Sequence, residues 1–227
     1  MSGCISIVLM CNGYAVAAGA MIFLAAVFDF FDGFAARLLK AYSPLGAQLD
    51  SLSDVVSFGV APSFIMYHYL NQQPIAHSLD LEIAGFNILP FIAFFLAVFA
   101  ELRLAKFNID DRQTSSFIGL PTPANALFWG SLVVGEYSFL TSETFNALYL
   151  LMLVLLMSWL LIAEIPMFSL KFKDLSWKSN QTSYLFLLVS IPLLFIFQAS
   201  GFAAVILWYI LLSFIIFKQS FGLRLCV

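Results

Sequence analysis

Apolar residues run through this chain in long unbroken stretches, and the short polar stretches between them mark where helices stop. Residues 14–39 read as one helix, free of charge until Asp29, and residues 44–70 as the next, with Gly46, Asp50 and Asp54 near its start. A polar loop, LNQQPIAHSLDLE, follows at 70–82; residues 83–107 then predict a further helix ending in AELRLAKFN. Residues 120–139 and 145–165 predict two more. The stretch 179–217 carries no charge, and as a single helix it would measure roughly 58 Å, about twice the hydrocarbon thickness of a bilayer. It must fold back on itself, and QASG at 198–201 is the expected turn.

Met1 to Cys11 is apolar but too short to span, at ~17 Å against a core of ~30 Å. It lacks the charged region and cleavage site of a signal peptide, so the expectation is that the sequence begins inside a first helix or that its natural start lies upstream. The predicted fold is therefore all-α: a polytopic transmembrane bundle of about eight helices, the first one cut short. Two regions are expected, a helical domain over 1–165 and a basic loop plus C-terminal helical hairpin over 166–227.

Composition agrees. The chain is 62% hydrophobic and 10% charged, with 26 Phe and a mean hydropathy of +0.98, far from a soluble globular protein. Nucleic acid is not an expected partner. The net charge of −3 matters less than where the cations sit. With eight spans, all ten Lys and Arg (Arg37, Lys40, Arg103, Lys106, Arg112, Lys171, Lys173, Lys178, Lys218 and Arg224) fall on the side where the second helix ends. The loops at 12–13, 70–82, 136–144 and 198–201 have none, which predicts that this side faces the cytoplasm. Cys4, Cys11 and Cys226 show no ligand spacing and read as packing thiols; His68 and His77 flank a polar loop and read as surface residues.

The chemistry is concentrated in DFFDGFAARLLKAYSPLGAQLDSLSD at 29–54. A carboxylate at the centre of a bilayer is unfavourable by at least ~2.5 kcal/mol. Four of them on two successive helices, with only Arg37 as a cation between them, point to bound metal. Asp29 and Asp32 are i, i+3; Gly46, Asp50 and Asp54 follow at i, i+4. The turn around Ser43, Pro44 and Gly46 makes the two helices antiparallel neighbours with their acidic stripes facing. All-oxygen donors suit Mg²⁺ or Mn²⁺ better than zinc, and Gly33 and Gly46 leave room for a bulky ligand or a close backbone. The same acids also admit a structural role between helices, or a proton relay in a coupled transporter.

The spacing Asp29-x-x-Asp32-Gly33-x-x-Ala36-Arg37, eight residues, then Gly46-x-x-x-Asp50-x-x-x-Asp54 resembles the signature of the CDP-alcohol phosphotransferase family. That resemblance implies a membrane enzyme that joins a CDP-activated group to an alcohol and releases CMP. It implies Asp29, Asp32 and Asp50 as metal ligands, with Asp54 bordering the metals as general base, and two divalent ions held by the four together. Asp32, Gly33, Ala36, Arg37 and Gly46 would form the CDP site. The Pro-Asn start and amphipathic segment common in the family are not found in this sequence.

Two further runs bear on the acceptor. Arg103 and Lys106 are i, i+3 and reach the level of the aspartates with Asn108, while FIGLPTPANA at 117–126 puts Pro121 and Pro123 where a helix begins. Irregular backbone at that depth lines a polar cavity, so a second, cation-lined pocket is expected; the alternative is that Arg103 and Lys106 are snorkelling side chains. DSLSDVVSFGVAPS at 50–63, RLAKFN at 103–108 and FIGLPTPA at 117–124 resemble the bacterial and archaeal CDP-diacylglycerol–serine O-phosphatidyltransferase branch. The resemblance ends near residue 165. It implies CDP-diacylglycerol and L-serine as substrates, phospholipid biosynthesis as the role, a prokaryotic inner or plasma membrane as the location, surrounding lipids as partners and a homodimer as the assembly. Serine contacts are expected from Arg103, Lys106 and Asn108, with Glu101 or an aromatic face for the ammonium. Glycerol 3-phosphate or inositol phosphate are the alternative acceptors.

Overall fold

A computed structural model describes residues 1–41, 43–72, 82–83, 86–110, 117–142, 145–168 and 180–224. Helix α1 (Ser2–Cys11) turns through Asn12-Gly13, with Gly13 at φ +81°, into α2 (Ala15–Leu38). Helix α3 (Pro44–Gln72) begins at Ser43, whose hydroxyl accepts the Gly46 N–H at 3.0 Å, and Pro44 occupies the first turn. Capping and a preset φ therefore fix where α3 starts. Then follow α4 (Phe95–Ile109), α5 (Thr122–Gly135), the single-turn α6 (Tyr137–Leu140), α7 (Ala147–Ile162), α8 (Gln181–Phe197) and α9 (Gly201–Arg224). The chain is an all-α helical membrane bundle, as its hydropathy requires.

Three stretches, Ala15–Leu38, Pro44–Gln72 and Gln181–Lys218, are long and apolar enough to cross a membrane. The third is broken by the expected turn at Gln198–Ser200, where Gln198 takes φ +49° and the chain doubles back so that α9 packs on α8. Large apolar side chains such as Phe30, Leu188, Phe195 and Ile196 point outward. In lipid that exposure costs nothing.

The structure corrects several expected boundaries. The helix expected from residue 83 instead begins as a 3₁₀ segment at Leu89–Phe94, after a two-residue antiparallel ladder between Glu82–Ile83 and Phe86–Asn87. Pro90 and the Asn87 side chain, which accepts the Leu89 N–H at 3.0 Å, set that late start. The helix expected over 120–139 breaks at Glu136, because Gly135 lies against Ser200 of the α8–α9 turn. α7 stops at Ile162: Ala163 turns extended, and Pro166–Met167 pair with Phe117–Ile118 in a second small ladder. Residues 55–60 of α3 form a π-helical turn that the pattern did not reveal.

A further correction concerns α2 and α3. They pack where Ala61–Gln72 meets α2 but diverge toward the 40–43 turn, leaving no residue of Pro44–Asp54 buried. Of the cations used to orient the chain, Arg112, Lys171, Lys173 and Lys178 lie outside the described residues, as does most of the 70–82 loop with His77; Cys226 also lies outside. Arg37, Lys40, Arg103, Lys106, Lys218 and Arg224 are described, and the up-and-down course of the helices puts their backbone positions toward one end.

Close helix crossings hold the bundle together. Gly19 on α2 and Gly130 on α5 face each other: a Cβ on Gly130 would stand 3.1 Å from the Gly19 carbonyl oxygen and 3.3 Å from Ile22 Cβ. α1 is similarly pressed on α3, since a Cβ on Gly3 would lie 2.6 Å from Ser57 Cα. Ser6 donates to the Ala18 carbonyl at 2.7 Å and ties α1 to α2. Gly130→Leu should destabilise the bundle by about 1–3 kcal/mol through overpacking, seen as a lower melting temperature in detergent; an unchanged melting temperature would mean the crossing is loose.

Candidate active site

Asp29 and Asp32 come from the last turns of α2, and Asp50 and Asp54 from the first turns of α3. One carboxylate oxygen from each of Asp29, Asp32 and Asp50 lies within 4.8 Å of the others. Asp54 interacts electrostatically with Asp29, Asp50 and Asp32. The four acids thus form one cluster at one depth. Among the described residues no Lys or Arg is paired with any of them. Hard oxygen donors at this mutual distance fit a divalent ion such as Mg²⁺.

The divergence of α2 and α3 opens a cavity of ≈ 620 Å³ directly beside the cluster. Gly33, Ala36 and Arg37 line it from α2, Gly46 from α3, and Asp32 and Asp50 form its inner wall. All five residues expected to contact CDP are therefore brought together. A Cβ on Gly33 would meet nothing within 4 Å, so the glycine is there for space toward the cavity and not for helix packing. Gly46 is different, because its Cβ would press on the Ser43 hydroxyl at 3.0 Å. A second cavity of ≈ 320 Å³ adjoins the acids on the other side, with apolar walls from Ile5, Met21, Leu24 and Phe28. Asp32, Asp50 and Ser53 border both.

A third cavity, ≈ 310 Å³, contains Arg103 and Lys106, as the i, i+3 spacing on α4 suggested. Arg103 is only 7% exposed, which excludes a snorkelling role for it. Its Nη1 donates to Thr122 Oγ1 at 3.0 Å, at the start of α5, and its guanidinium lies 5.9 Å from the Phe107 ring centre. Nε has no partner. The guanidinium interacts electrostatically with Asp54 and with Tyr209 of α9. Asn108 is not in this cavity: its Nδ2 donates to Ser51 Oγ at 3.0 Å, tying α4 to the acidic part of α3. Glu101 is exposed and does not line it either.

The acids that do line it are Asp110 and Glu164, which motif reading passed over. Glu164 closes the otherwise apolar run of α7 at the cation-bearing end, and a single carboxylate in that position was a readable signal. Thr122 and Tyr209 were also missed. Only the fold brings α5 against α4 and α9 against α5.

Comparison with known proteins follows the same lines. A family model described as CDP-alcohol phosphatidyltransferase matches residues 1–170. The CDP-diacylglycerol--serine O-phosphatidyltransferase of Bacillus subtilis is 36% identical over 148 residues, 63% of this chain and 70% of that protein. The protein of the same name in Helicobacter pylori is 31% identical over 210 residues, 86% of this chain and 80% of its own. That of Methanocaldococcus jannaschii is 36% identical over 137 residues, which is 60% of this chain and 58% of the relative's length. The Helicobacter pylori match extends past residue 165, where the motifs end.

The wall of the third cavity depends on one glycine. Gly119, at φ +75°, brings the 117–120 strand so close to α7 that a Cβ would stand 2.6 Å from the Leu161 carbonyl oxygen. Gly119→Ala should therefore destabilise the protein by more than the ~1–2 kcal/mol of left-handed backbone strain alone. Thermal unfolding in detergent tests this, and an unaltered melting temperature would show the wall to be pliant.

Proposed function

Because the chain belongs to the CDP-alcohol phosphatidyltransferase family, we propose that it transfers the phosphatidyl group of CDP-diacylglycerol to the hydroxyl of L-serine, giving phosphatidylserine and CMP. One observation carries this reading: the acidic cluster lies between a cavity of small residues with Arg37 and an apolar cavity, and Arg103 and Lys106 line a third, separate one. A two-ended lipid nucleotide needs a polar and an apolar compartment on either side of its pyrophosphate. The acceptor needs separate access.

In this reading Gly33, Ala36 and Gly46 give the cytidine and ribose room, and Arg37 offers a fixed cation to phosphate. The groove of Ile5, Met21, Leu24 and Phe28 takes the start of the diacylglycerol. Asp29, Asp32 and Asp50, bordered by Asp54, hold two divalent ions, Mg²⁺ or Mn²⁺, which when bound neutralise the pyrophosphate and the leaving CMP. Arg103 and Lys106 orient the serine carboxylate. Asp54 accepts the proton of the serine hydroxyl as that oxygen attacks the diacylglycerol-side phosphorus and the bond to CMP breaks. A carboxylate is a weak base toward an alcohol, so positioning and electrostatics supply most of the rate. The site is proposed to face the cytoplasm in a prokaryotic membrane, with the protein acting as a homodimer in phospholipid biosynthesis.

CMP release from CDP-diacylglycerol by purified protein should occur with serine and Mg²⁺ or Mn²⁺ and disappear with EDTA. Release with glycerol 3-phosphate or inositol phosphate in place of serine would overturn the acceptor assignment. Asp54→Asn should lower turnover by at least about a hundredfold, the lower end of general-base contributions, while CDP-diacylglycerol binding stays measurable. Near-normal turnover in that variant would remove Asp54 from the role of base.

A further inference from the structure

The cation-lined cavity carries more than its cations. Arg103 and Lys106 enter it from α4, while Glu164 and Asp110 bring two carboxylates to the same ≈ 310 Å³. Arg103 is buried with an unpartnered Nε, so the cavity is built around a group that lacks a ligand. Glu164 is exposed, but its backbone is held on both sides. Ala163 N–H bonds to the Trp159 carbonyl at 3.0 Å at the end of α7, and the Gly119 N–H reaches the Ile165 carbonyl at 2.9 Å. The next residues, Pro166 and Met167, are locked in the ladder with Ile118 and Phe117. So fixed a backbone holds the root of the Glu164 side chain at the cavity rim.

We infer that Glu164 determines which acceptor the cavity takes, by pairing with the ammonium of a zwitterionic amino alcohol whose carboxylate faces Arg103, and by repelling acceptors that carry a phosphate dianion. The inference rests on the assignment of this cavity to the acceptor. The chemistry is charge matching. A buried guanidinium asks for an anion, and a carboxylate across the same space asks for a cation. An α-amino acid supplies both within a few bonds. Glycerol 3-phosphate and inositol phosphate supply only negative charge, and they would place it beside two carboxylates. Glu164 acts on binding and takes no part in bond making, so its removal acts on KM and leaves turnover nearly intact.

The test is Glu164→Gln, which keeps size and hydrogen bonding but removes the charge. CMP release is followed with L-serine, with 3-hydroxypropionate, which is serine without its ammonium, and with glycerol 3-phosphate as a competitor. The KM for serine should rise about fivefold to tenfold, the range for a charge-assisted contact at a partly exposed rim, with kcat within about twofold of the parent. The KM for 3-hydroxypropionate should stay or fall, and inhibition by glycerol 3-phosphate should strengthen. An unchanged CDP-diacylglycerol KM in the same variant shows that the rest of the site is intact. A serine KM within twofold of the parent overturns the inference. Arg103→Gln separates that failure from a failure of the acceptor assignment: if it raises the serine KM while Glu164→Gln does not, only the role of Glu164 is lost. If neither variant moves the serine KM, the cavity is not the acceptor site and both readings fall.

Discussion

Four carboxylates at one depth of two membrane helices, with no paired cation among the described residues, are the constraint around which this protein is built. At a separation of 4.8 Å two like charges repel by about 3 kcal/mol each pair, even at an effective dielectric of about 20. The acid-bearing ends of α2 and α3 diverge, and every residue of Pro44–Asp54 stays unburied. Apart from Arg37 and Leu49, the cavity that this leaves is lined by the acids and by small residues along both helices. Divergence and small side chains together make a ligand site where a simple helix pair would have made a packed interface.

Cohesion must then come from elsewhere. The bundle is closed by crossings in which backbone meets backbone: Gly19 with Gly130, Gly3 with Ser57, and Gly59 with Ala97 and Ala100. In lipid, where apolar surface gains nothing by leaving water, such close approach is the main source of attraction between helices. The π-helical turn immediately after Asp54 belongs to the same solution. One extra residue in a turn rotates all that follows by about 100°. The rotation lets Asp50 and Asp54 look toward α2 while Ser57, Phe58 and Gly59, a few residues on, are buried against α1 and α4.

The sequence made the chemistry more legible than the helix boundaries. Spacing alone placed Asp29, Asp32, Asp50 and Asp54 together, and the open side of Gly33 agrees with a residue chosen for ligand space. Hydropathy required the fold-back at 198–201, since no bilayer accommodates the uncharged run as one helix. Local exceptions were not readable. A π turn in α3 has no compositional mark among valines that suit a regular helix, and the late start of α4 depends on Asn87 capping a 3₁₀ segment. The interior of the acceptor side was harder still. Arg103 was visible, but its partner Thr122 is nineteen positions away, and Tyr209 comes from a helix pair whose residues carry no motif. Asn108 shows the limit of depth arguments: it ends at the right level and faces Ser51, away from the cavity of Arg103.

The cavity proposed for the acceptor is far roomier than serine's few heavy atoms need, so volume would not select the acceptor. Charge arrangement has to. Arg103 suits that task in a way lysine does not: Thr122 fixes one nitrogen of the planar fork, and the Phe107 ring lies alongside, which leaves other donors aimed without further loss of freedom. Lys106 adds a compact, mobile charge to the same space. The two cations of α4 and the Glu164 carboxylate, which comes from a different part of the chain, present a dipolar ligand with one favourable direction.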